Sequence, residues 1–73
     1  MENELVTTDE KIHMIRQFMK NLSYNRYTIE ISLLAENAVA VPNQNNVDGF
    51  TLQLQEIDDK LSALQAELTT LEG

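Results

Sequence analysis

Seventy-three residues allow a single domain. A chain this short buries little surface and usually leans on disulfides, a metal or a partner chain. There is no cysteine, so disulfides and thiolate metal sites are excluded, and the net charge of −7 disfavours binding to phosphate backbones or anionic membranes.

Residues 1–7 read as an acidic, aperiodic, frayed arm. No apolar run follows a basic start, so no signal peptide is expected, and no run is long enough to span a bilayer. The lack of cysteine suits a reducing cytoplasm. Thr7-Thr8-Asp9-Glu10 then opens a helix. Thr7 can accept from the amide of Glu10 while Glu10 reaches back to the amide of Thr7, a capping box, and both acids complement the positive end of the helix dipole. Glycine and proline are absent from here to Pro42, so the first helix is expected over residues 8–41.

At about 100° per residue this helix carries two apolar stripes. Ile12, Ile15, Phe18, Met19, Leu22, Ile29 and Leu33 share one face, broken only by Arg26. Tyr24, Tyr27, Ile31, Leu34 and Ala38 lie on nearly the opposite face and occupy only the C-terminal half. One partner helix cannot cover both. Ile29, Ile31 and Leu33 also alternate with polar residues as in a strand, but the chain offers no strand to pair with, and the helix is preferred. Asn21-Leu22-Ser23 matches a glycosylation acceptor by chance composition.

Pro42 has no amide hydrogen and pushes Val41 out of the helical region. Residues 42–46 therefore read as a turn, with Asn46 or Asp48 as the next helix cap and Gly49 in the first turn or just before it. The second helix is expected over 47–72. There Val47, Phe50, Leu54, Ile57, Leu61, Leu64, Leu68 and Leu71 recur at alternating steps of three and four, the a/d seam of a coiled coil. A short turn folds the two helices into an antiparallel hairpin. Pairing about the turn sets Leu33 near Leu54, Ile29 near Ile57, Leu22 near Leu64 and Met19 near Leu68. Arg26 then falls beside Leu61, with Asp58 one turn away to form an ion pair. Ile15, at the far end of the first helix, completes the hairpin seam.

Few residues suggest chemistry. His13, Arg16 and Lys20 share a face that continues into Tyr24 and Tyr27, and cations interleaved with aromatics can hold nucleic acid. A solvated basic flank beside an interface explains them better in so acidic a chain. His13 is the sole histidine and has only Asp9 and Glu10 near it, too few ligands for a metal site. Gln44 to Gly49 resembles the start of a calcium-binding EF-hand loop, but Gln44 and Gln55 stand where carboxylates are needed. Glu56-Ile57-Asp58-Asp59-Lys60-Leu61 resembles helices of the helical chorismate mutases. That chemistry needs several cations around a dicarboxylate, and the second helix offers Lys60 alone. From Val47 onward six acids face this one base, whereas acids and bases balance four to four between Thr8 and Val41. Glu56, Asp58, Asp59 and Glu67 are thus also readable as an acidic patch imitating nucleic-acid phosphates.

The run from Thr7 to His13, with the plan of helix, Pro42, Asn-rich turn and helix, is similar to short acidic helical-hairpin proteins of marine tailed phages. The resemblance implies no site residues and no activity. The expected product is an all-α, two-helix antiparallel hairpin that dimerises into a four-helix bundle. Tyr24, Tyr27, Ile31, Leu34 and Ala38 would be its interface, and Ile15, Met19, Leu22, Ile29, Leu33, Leu54, Ile57, Leu61, Leu64 and Leu68 its hairpin seam. The expected function is a small, non-catalytic interaction or structural module without a cofactor, acting on a second copy or on a helical protein partner. The alternative is an acidic regulator that blocks a basic protein surface.

Overall fold

The structure, a computed structural model, describes residues 5–73. It is an antiparallel hairpin of two helices, α1 (Thr8–Asn37) and α2 (Gln44–Glu72), with no strand among the described residues. The hairpin is a rod of 62 × 18 × 15 Å, two helices wide and one thick. The arm expected at the start lies partly outside the described residues; Leu5 and Val6 are exposed bends.

The start of α1 follows from its sequence. The Glu10 carboxylate accepts from the Thr7 amide at 3.0 Å, and the Thr7 hydroxyl oxygen accepts from the Glu10 amide at 3.1 Å. Both bonds of the capping box form, so two of the helix's otherwise unmatched N–H groups are satisfied. The same bonds, first from the Thr7 backbone and then from its side chain, hold the Glu10 carboxyl below its usual range.

The turn differs from expectation. α1 stops at Asn37, four residues short of 41, and α2 starts at Gln44, three residues before 47. Two contacts account for this. The Ala38 amide donates to the Ala35 carbonyl at 3.3 Å, a bond to the third residue back that tightens and ends the last turn. Glu36 then accepts from the Asn43 amide and from the Asn46 side-chain amide, each at 3.0 Å, fastening the end of α1 to the start of α2. Asn43 is the cap of α2, in place of Asn46 or Asp48. Its side-chain oxygen accepts from the Asn46 amide at 3.2 Å. Gly49 is consequently the sixth residue of α2 and sits within the helix.

The core is one seam. All eight expected α2 positions are half-buried or buried, with Ile57 and Leu68 covered most. On α1, Leu22 is buried, and Ile12, Ile15, Met19, Ile29 and Leu33 are half-buried. Phe18 departs from its expected stripe: it is 58% exposed. It lies about 60° from the centre of that stripe at 100° per residue, at the edge of what a single partner helix covers. Polar residues inside the helices are satisfied locally. Ser23, Thr28 and Ser32 on α1, and Thr51, Thr69 and Thr70 on α2, each donate a hydroxyl to the carbonyl four residues back.

Candidate interaction face

Arg26, the polar break in the first stripe, sets the hairpin register. Its Nε donates to Asp58 Oδ1 at 2.7 Å, and its second terminal nitrogen donates to Asp58 Oδ2 at 3.2 Å. A planar guanidinium facing both oxygens of one carboxylate is the geometry in which arginine is more specific than lysine. Glu30, one turn along α1, pairs with the same guanidinium. The bond to Asp58 is the main cause that raises the Arg26 pKa, and it holds the Asp58 carboxyl below its usual range. Near the other end of the rod Arg16 pairs with Glu72 in the last turn of α2. Neither helix has a base of its own in its last turn, so Arg16 is the cation at the negative end of the α2 dipole.

With the seam facing inward, the second stripe of α1 faces outward. Tyr24 and Tyr27 are each 64% exposed, Ile31 49% and Leu34 73%, while Ala38 is exposed at the C-cap. Val39 and Val41 extend the exposed apolar stretch past the helix end, because α1 stops before them. Tyr27, Glu30, Ile31 and Leu34 line a shallow hollow on this face. Their spacing of i, i+3, i+4 and i+7 is that of the four residues that receive one knob in knobs-into-holes packing. Towards the N-terminus the same face carries Lys20, Arg16 and His13, all exposed, and Asp9 in the first turn.

Two further features were not anticipated. Met14 is 61% exposed and forms an apolar flank with Phe18 one turn on. Met14 also joins Val6, Lys11, Ile15, Glu67 and Leu71 around a groove at the open end of the hairpin. A second groove, between Leu22, Asn25, Thr28 and Ile29 of α1 and Gln53, Glu56, Ile57 and Lys60 of α2, is polar along its rim. Met14 and Phe18 were findable from sequence as an i, i+4 pair at the stripe edge. The grooves depend on how the helices splay and have no sequence signal.

The stretch from Gln44 to Gly49 is helical, so its side chains project outward instead of wrapping an ion as a calcium loop does. Among the described residues, no three His, Asp or Glu side chains are placed to hold a metal. No described helix is long and apolar enough to cross a membrane. Comparison with protein-family models, curated proteins and solved structures finds no match to this chain.

Proposed function

We propose that this protein is a small, non-catalytic helical interaction module that works by self-association, two hairpins pairing through the outer face of α1 as a four-helix bundle. The observation that carries this reading is the exposure of Tyr24, Tyr27, Ile31 and Leu34 along one continuous helical face. Val39 and Val41, exposed past the end of α1, add apolar surface at this end of the hairpin. A row of large apolar side chains exposed together on one helix face is uncommon on a monomer.

The acidic-regulator reading draws on the same excess of acids on α2, but those acids are not all available. Asp58 is engaged by Arg26, Glu72 by Arg16, and Asp48 accepts from the Gln44 side chain at 2.7 Å. The apolar face of α1, with Tyr24, Tyr27, Ile31 and Leu34, has no cover within the hairpin, and it favours self-association.

Light scattering across a dilution series, with helicity followed in parallel, tests the proposal. The expected result is a particle of twice 8.3 kDa that Ile31→Glu converts to single chains. A helical wild-type monomer at all concentrations would overturn self-association and leave the face to a different protein.

A further inference from the structure

The paired hairpins can meet in two senses, and the composition of the α1 outer face distinguishes them. We propose that two copies dock antiparallel, α1 on α1, with the twofold axis beside Ile31; this rests on the self-association reading above.

Size is the first argument. Along this face the large residues Tyr24 and Tyr27 come first, and the small Ala35 and Ala38 come last. Antiparallel packing about Ile31 sets each copy's Tyr24 over the partner's Ala38, and Tyr27 over the partner's Ala35. Parallel packing would instead stack tyrosine on tyrosine and leave the alanines facing a gap. Interdigitation of large with small is what fills an interface to native density.

Charge is the second. Lys20 makes no ion pair with any described residue of its own chain. The last turn of α1 contains no base, so the negative end of its dipole is unmatched. Lys20 lies eleven residues from Ile31, about 16 Å, and Ala38 lies seven residues away on the other side, about 10 Å. Antiparallel docking therefore carries Lys20 slightly past the end of the partner's α1. An extended lysine side chain can fold back across that distance onto the terminal carbonyls. Parallel docking would set Lys20 against Lys20, with Arg16 and His13 likewise against their copies, a like-charge contact.

Shape is the third. The hollow bounded by Tyr27, Glu30, Ile31 and Leu34 is centred close to Ile31. A twofold axis there lets the Ile31 of each copy enter the hollow of the other, and an isologous interface needs such a self-complementary centre.

The chain has no cysteine, so single introduced cysteines report proximity without background. Under mild oxidation Ile31→Cys should link to itself as a dimer. Tyr24→Cys alone should not, because its two copies would stand about 21 Å apart along the axis, beyond the ~7 Å Cα separation a disulfide tolerates. A mixture of Tyr24→Cys and Ala38→Cys should link crosswise. Lys20→Glu should raise the dimer dissociation constant about three- to thirty-fold, whereas Lys60→Glu on α2 should leave it unchanged. Light scattering on the unmodified chain separates the two levels of the reasoning. A monomer would overturn self-association and the orientation with it. A dimer in which Tyr24→Cys links to itself as readily as Ile31→Cys would overturn the antiparallel arrangement alone.

Discussion

Gly49→Ala tests the placement of the turn through the sign of a stability change. Sequence puts Gly49 in the first turn of the second helix or just before it; the structure makes it the sixth residue of α2, after the Asn43 cap. The outcome depends on whether the glycine stands at the cap or inside the helix. At a helix cap, glycine is preferred over alanine, and the substitution costs stability. Inside a helix, glycine is destabilising by roughly 0.5–1 kcal/mol relative to alanine, through the greater freedom it loses on folding. No neighbour cancels that gain, because a Cβ built on Gly49 meets nothing within 4 Å. Nor is there backbone strain, since Gly73 is the only described residue with positive φ. The variant should therefore be more stable by about 0.5–1 kcal/mol, which for a domain of this size is about 2–8 °C in Tm. Thermal and urea unfolding followed by helical circular dichroism, at one fixed protein concentration, measure it. A loss of stability would mean that α2 begins at or after Gly49 and that Asn43 is not its cap.

Ile57→Ala removes one of the three most buried side chains, 8% exposed, and should cost about 2–4 kcal/mol, enough to abolish the cooperative unfolding transition. Phe18→Ala, far more exposed, should cost under ~1 kcal/mol in the same assay. Acid should weaken the hairpin through Glu10, Glu36 and Asp58, whose folded-state pKa values are depressed. For a depressed carboxyl the stabilisation is fully present above the unfolded value, about 3.9–4.3, and is lost as pH falls through the lower folded value. For Glu36 the cause is first the Asn43 amide and then the Asn46 side chain. Stability should thus fall more steeply below about pH 4.3 in the wild type than in Glu36→Gln; equal slopes would show that Glu36 does not clamp the turn.

The seam was legible because it depends on one variable, the angle around a helix. Eight α2 positions spaced by three and four all came to lie inward, and Arg26 met Asp58 as the register required. The helix ends were less legible because they depend on side-chain bonds across the turn. Pro42 marks where α1 must have stopped, but the Glu36 ties to Asn43 and Asn46 fix where it does stop. Periodicity carries no information about a carboxylate reaching seven to ten residues ahead. Phe18 was misplaced for a related reason. An angular cluster includes the stripe's edge, whereas one partner helix covers mainly its centre. The outer face of α1 was visible as a second stripe, but its extension through Val39 and Val41 was not, since it depends on where α1 ends, which periodicity does not mark.

In the proposed dimer the two helices have unequal positions. α1 is covered twice, by α2 on the seam side and by the partner's α1 on the other. α2 is covered once, and its outward positions carry Asp48, Leu52, Gln55, Asp59, Ala66 and Thr70, all exposed. That division matches the charge: acids and bases balance along α1, while α2 carries six acids against Lys60. A balanced helix can sit at the centre of a bundle without self-repulsion. Glu56, Asp59 and Glu67, which make no ion pair with a described residue, would set like charge on like charge where a further hairpin docked laterally. On that reading α1 carries the apolar face that needs covering, and the free acids of α2 would stop the assembly at two copies. Neutralising the rim, as in Asp59→Asn with Glu56→Gln, should leave the dimer intact at low salt and permit larger species at high protein concentration, read by light scattering. A rim-neutral variant that remains strictly dimeric would show that the interface geometry, and not the acidic flank, terminates assembly.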